Sequence, residues 1–142
     1  MPERSANAVW RGRLRDGDGS VRTESGVLDA KYSFSTRFEN GKGTNPEELI
    51  GAAHAACFSM ALSAGLEKAG FKADRVETTA RVTFEKVGEG FSITRIDLDT
   101  RATVPNIDDA TFQQNAEKAK ATCPISKALA SVPITLVAAL TS

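Results

Sequence analysis

Cys57 and Cys123 are the only cysteines in the chain. They sit in contrasting settings, Cys57 inside GAAHAACFSMALSAG and Cys123 inside KATCPISKA. A thiol can be a nucleophile or half of a disulfide, so chemistry is most readily sought at this pair. Cys57 lies in an uncharged run of small residues that reads as a buried helix, where its thiol stays neutral unless a cation or donor stands near. Its simplest reading is a small core hydrophobe. Cys123 precedes Pro124. If the proline opens a helix, Cys123 takes the N-cap position, where free amides and the positive dipole end favour a thiolate and a partly exposed, mobile site. The competing reading is a cap thiol of no consequence. His54 lies one turn before Cys57, about 60° around a helix. It can pair with a thiolate or act as a base; it can equally be a core histidine bonded to a backbone carbonyl.

Eighteen basic and eighteen acidic residues cancel among 142. That balance lacks the electrostatic footprint of a nucleic-acid binder, and no basic run points to an anionic membrane surface. The polar N-terminal stretch MPERSANAVWRGRLRDGDGS has no secretory apolar core. Gly51 to Gly65, the longest uncharged apolar run, is shorter than the roughly 20 residues that span a bilayer. The reading is a soluble cytoplasmic protein. Two cysteines are too few for a disulfide framework, and their spacing fits no zinc finger. A zinc site would need Cys57, Cys123 and His54 together.

The elements that must position these residues can be read in outline. With no repeat or linker, the sequence suits one domain over residues 1–142. Residues 7–15, VRTES and KYSFSTRFE read as an antiparallel meander, with Tyr32, Phe34, Thr36 and Phe38 on one strand face. Asn45 can cap a helix with Pro46 in its first position and Glu47 and Glu48 in its first turn. This helix runs to about Ala69 with Gly70 as its stop. Its middle is apolar all round, the pattern of a buried helix, and its small residues allow a second helix or chain to approach.

RVETTARVTFEK and FSITRIDLDTRATV pair as a long hairpin about VGEG. In the second strand Phe91, Ile93, Arg95, Asp97 and Asp99 oppose Ile96 and Leu98. Residues 107–122 form an amphipathic helix capped near Asp108 or Asp109, PISKALA a short helical piece, and ITLVAAL a last strand. The class is α+β with a mostly antiparallel sheet.

FSTRFENGKGTNPEELIGAAHAACFSMAL, taken with KATCPISKAL, resembles the osmotically inducible protein C family, close relatives of the organic hydroperoxide resistance proteins. The likeness runs from NAVWRGRL through RTESGVL to ITLVAAL, nearly the whole chain. The resemblance implies an OsmC-like fold, antiparallel sheets wrapped around a long central helix, in an intertwined homodimer with active sites at the subunit interface. It implies a thiol-dependent peroxidase that reduces organic hydroperoxides to alcohols without a cofactor. The peroxidatic cysteine falls on Cys57, the resolving cysteine on Cys123, the catalytic arginine on Arg37 and its glutamate partner on Glu47. A lipoyl-type external dithiol would reduce the resulting disulfide.

By composition alone Arg37 and Glu47 would pass as a solvated strand arginine and a helix-dipole glutamate. A guanidinium, which is not deprotonated in proteins, is nonetheless the cation that Cys57 needs. Ten residues separate Glu47 from Cys57, about 15 Å along a straight helix. Either the helix begins after Glu47 with a bend, or Glu47, and Arg37 with it, reaches Cys57 of the other chain; the second is the expectation. Phe34, Phe38, Phe58 and Met60 are expected to line an apolar substrate pocket. The alternative of a different class is a non-catalytic, stress-related binding or structural dimer with core cysteines.

Overall fold

The computed structural model describes residues 2–141 and divides into two compact units, Met1–Leu49 and Ile50–Ser142. In the first unit β1 (Ala6–Arg11), β2 (Asp18–Thr23) and β3 (Asp29–Tyr32) form the expected antiparallel meander in that order. Gly19 stands in register between Trp10 and Tyr32. A Cβ there would meet Tyr32 Cε1 at 2.6 Å and Trp10 Cε3 at 2.7 Å, so only glycine lets the two rings close over the strand.

The meander stops earlier than the alternation in KYSFSTRFE predicts. Phe34–Phe38 is a short helix, α1. Ser33 caps it: its hydroxyl accepts the Thr36 amide, while the Thr36 hydroxyl accepts the Ser33 amide. This reciprocal capping satisfies two backbone donors locally, and the helical turn prevails over a pattern of period two. Phe34 and Phe38, four apart, stack with centroids 4.7 Å apart on one side of that turn.

Helix α2 (Pro46–Lys68) begins in the first unit and continues through the second. Asn45 Oδ1 accepts the Glu48 backbone amide at 2.8 Å, and Asn45 Nδ2 donates to Thr36 O at 3.0 Å, which ties the start of α2 to α1. By length and composition α2 could cross a membrane. Within the second unit it buries Phe58, Leu62 and Leu66 at four-residue intervals, as a helix seated on a core does. The opposite stripe is open in this single chain. Ala52, Ala53, Ala56, Met60, Ser63 and Ala64 are exposed, Met60 by 75%. The expected all-round burial is thus met on one face only.

The second unit carries β4 (Arg75–Val87), β5 (Gly90–Thr103) and β6 (Ile134–Leu140) in that order. β4 and β5 form the expected hairpin. β6 lies parallel to β5, a departure from the antiparallel expectation. The cause is the crossover through α3 (Asp109–Thr122) and α4 (Pro124–Ala128), which returns the chain to the same sheet end. A second correction concerns the faces of β5. Thr83 pairs with Arg95 but Phe84 pairs with Ile93, so Thr94 is an extra residue at a bulge. The bulge shifts the alternation by one, and Ile93 packs on the core side with Ile96 and Leu98 instead of with Arg95 and Asp97.

Phe58, Leu62 and Leu66 of α2, Ile96, Leu98 and Ala102 of β5, and Phe112, Ala116 and Ala119 of α3 make one core. At Gly51 a Cβ would come within 3.3 Å of Ala80 O, so the glycine lets α2 lie close on β4. Ser59 Oγ sits 2.8 Å from both Ala55 O and Thr78 Oγ1, and Thr78 continues to Thr100 Oγ1 at 3.0 Å. This polar seam fixes the rotation of α2 and with it the direction of Cys57.

Candidate active site

The fold brings the two sulfurs together. Cys123 Sγ lies 2.8 Å from Cys57 Sγ, in contact without a disulfide bond between them. Cys57 comes from the middle of α2. Cys123 occupies the junction of α3 and α4, closing α3 through its amide to Ala119 O and capping α4 in front of Pro124. The exposures are the reverse of those expected. Cys123 is fully buried and joins the core, whereas Cys57 is half-buried. The reason is local: Ala53, Ala56 and Met60, the helical neighbours of Cys57, belong to the open stripe, while Cys123 is enclosed where two helices meet.

Burial leads the influences on Cys57 and pushes its thiol up; the Cys123 contact adds to this, and a hydrogen bond from the Ile125 amide opposes it. Burial also works against ionisation of Cys123. There it is outweighed by the Cys57 contact, by the Ser126 amide and hydroxyl and by the Ile125 amide, and the thiol lies below its usual range. No side chain caps α4 in strict geometry, yet donors at its start face the sulfur closely enough to favour the anion.

His54 is fully buried one turn before Cys57. Its Nε2 lies 2.7 Å from Ser126 Oγ, and among the described residues its Nδ1 has no partner. Burial lowers its pKa, so the ring is neutral. The sequence reading of a core histidine was right about burial and wrong about the partner, which is a hydroxyl and not a carbonyl. Ser126 was not singled out, although it stands three residues after Cys123 in CPIS, where a helical turn returns a hydroxyl to the thiol. Among the described residues no three His, Cys, Asp or Glu side chains gather as metal ligands, so the zinc reading has no ligand set there.

Arg37 and Glu47 meet in the first unit. Arg37 Nε donates to Glu47 Oε1 at 3.1 Å and Nη2 to Oε2 at 3.0 Å, a two-point grip on a carboxylate whose side chain is 10% exposed. The last turn of α1 carries the arginine and the first turn of α2 the glutamate. Arg37 also lies 5.6 Å from the centre of the Phe38 ring. Beside them is a cavity of 230 Å³ lined by Trp10, Leu14, Tyr32, Phe34, Arg37 and Phe38. Phe34 and Phe38 therefore do line an apolar pocket. Phe58 does not, being fully buried in the core, and Met60 stands exposed on α2.

An α+β chain whose two cysteine sulfurs lie in direct contact belongs to the class of thiol-based redox proteins. The OsmC-like protein family model matches residues 39–137. The chain is 55% identical to peroxiredoxin OsmC of Escherichia coli K12 over 127 residues, 89% of each sequence. It is 33% identical to the organic hydroperoxide resistance protein of Xanthomonas axonopodis pv. citri over 78% of each. The crystal structure of the organic hydroperoxide resistance protein OhrB of Bacillus subtilis superposes with a TM-score of 0.74 at 27% identity, covering 96% of this chain and 98% of that one. The chain belongs to the OsmC-like family.

Proposed function

We propose that Cys57 is the peroxidatic and Cys123 the resolving cysteine of a hydroperoxide-reducing cycle, with Arg37 and Glu47 as its electrostatic partners. The chain is a thiol-dependent peroxidase of organic hydroperoxides, in keeping with its relatives. The observation that carries the assignment of roles is the 2.8 Å contact between two unlinked sulfurs of unequal exposure. The more open sulfur, Cys57, meets substrate; the enclosed one waits behind it.

In the first step the Cys57 thiolate attacks the O–O bond, the alcohol departs and Cys57 becomes a sulfenic acid. Attack requires an anion where burial favours the neutral thiol. The Arg37 fork, held in plane by Glu47, supplies the compensating charge and a donor for the oxygen on which charge builds. We assign that fork to a second copy of this chain. Glu47 and Cys57 ride on one unbroken helix, about 15 Å apart by its rise. The uncharged stripe from Ala52 to Ala64 beside Cys57 suits close approach by another subunit. Each active site would then combine the dithiol of one protomer with the fork of its partner, the two units of each chain serving one OsmC-like domain.

The cavity beside Arg37 offers apolar walls that favour alkyl or aryl hydroperoxides over hydrogen peroxide. An external dithiol of lipoyl type, in a cytoplasm that keeps thiols reduced, completes the cycle. Steady-state turnover of tert-butyl hydroperoxide with dihydrolipoamide tests the function. Turnover lost in Cys57→Ser supports it; turnover retained by that variant refutes it.

A further inference from the structure

The sulfur contact has a polar companion between α2 and the start of α4. His54 and Cys57 are three residues apart on α2, and Ser126 and Cys123 three apart around the start of α4. The pairs His54–Ser126 at 2.7 Å and Cys57–Cys123 at 2.8 Å therefore stack one helical turn apart. A fully buried histidine fixed to a serine one turn from the resolving thiol has no part in the peroxide step described above.

We propose that His54 and Ser126 are positioning residues for the resolving thiol: the buried imidazole holds the Ser126 hydroxyl so that its proton points to the Cys123 sulfur during disulfide formation. This rests on the reading of Cys123 as the resolving cysteine. Buried orphan N–H donors are rarer than under-satisfied acceptors, so Nδ1, which has no partner among the described residues, holds the bare lone pair. Nε2 then carries the proton and donates to Ser126 Oγ. The serine cannot turn its own hydrogen toward the ring, and the hydrogen is free to turn toward Cys123, one helical turn away. Neutral His54 does not act as a base, in keeping with its depressed pKa. The groups acting on the Cys123 sulfur are Cys57 from α2 and Ser126 and Ile125 from α4.

The step balances. The Cys123 lone pair attacks the Cys57 sulfenic sulfur, and the S–S bond forms as the S–O bond breaks. The departing hydroxide takes the proton that Cys123 has released, giving one water. The same hydroxyl steadies Cys123 as leaving thiolate when the external dithiol later opens the disulfide.

The test is a quenched single turnover with one equivalent of cumene hydroperoxide, following sulfenic acid and disulfide by mass spectrometry. Ser126→Ala and His54→Leu are each expected to close the disulfide about tenfold more slowly, as loss of one hydrogen bond to a charged group implies. Formation of sulfenic acid should change less than twofold. The double variant should be no slower than Ser126→Ala alone, and His54→Gln, which keeps an amide donor, should recover most of the rate.

A second arm does not depend on peroxidase chemistry. In a Cys57→Ser background, thiolate absorbance of Cys123 is titrated with and without Ser126→Ala, and its midpoint should rise by about one pH unit. An unchanged midpoint overturns the proposal even if His54→Leu fails to fold. Parent-rate disulfide closure in Ser126→Ala also overturns it. A shifted midpoint in a protein that hydroperoxide leaves unoxidised supports the positioning role of Ser126 and refutes the peroxidase cycle instead.

Discussion

Burial favours the neutral thiol at Cys57, and the cycle needs the anion; in the proposed cycle the guanidinium of a partner's Arg37 resolves that conflict. Its value lies in shape as well as charge, because Glu47 holds it by two parallel hydrogen bonds. Arg37→Lys keeps a cation but loses the fork. Peroxidase kcat/KM is expected to fall about a hundredfold, as when one donor to a developing oxyanion is removed. The melting temperature should hardly move, since the side chain is partly exposed. Equal activity in the lysine variant would leave the arginine no part in the transition state. Cys123→Ser separates the two thiol roles: one oxidation of Cys57, detected as a trapped sulfenic acid, then no recycling unless thiol is added. Both cysteines stood out in the sequence by type alone, and their roles came with the family resemblance. Their exposures did not come with it. These depend on which face of α2 the core takes, and an apolar run without charge on any side does not say.

Two short-range signals set the elements, and they differ in how legible they were. Asn45, Pro46 and the glutamates after them announced the start of α2, and the Asn45–Glu48 cap is found there. The Ser33–Thr36 capping box hid inside an alternating pattern that reads as strand, so α1 appeared only in the structure. Because α1 carries Arg37 toward Glu47, its cap matters to the site. Ser33→Ala should cost about 1 kcal/mol in chemical denaturation and loosen the fork, with activity falling more than stability accounts for. An unchanged unfolding midpoint would remove the cap from the argument. The bulge at Thr94 was equally hidden, since periodicity marks faces but not an inserted residue. Phe58→Ala tests the core on which Cys57 rides. The side chain is fully buried, and a loss of about 3–5 kcal/mol is expected.

Across the whole molecule, the open stripe of α2 is what supports the proposal of a two-chain working unit. One face is seated on the β5–α3 core, and the other offers alanines, a serine and exposed Met60 next to the reactive thiol. Met60→Lys places a charge on that stripe. It should shift the sedimentation coefficient from dimer to monomer and abolish turnover, while circular dichroism stays unchanged. A fully active monomer would return Arg37 and Glu47 to the same chain as Cys57. The α+β class and element order were legible in the sequence because caps and alternation are local. The parallel placement of β6 was not, since it follows from where a crossover lands. The central claim is that a hydroperoxide oxidises Cys57 and that Cys123, already in contact, captures the product. Mass spectrometry of the reduced protein after one equivalent of organic hydroperoxide tests it most directly. The expected result is loss of two hydrogens, with Cys57 and Cys123 peptides linked in the digest. Two free thiols after complete mixing, or oxygen retained on Cys57 with no linked peptide, would contradict it.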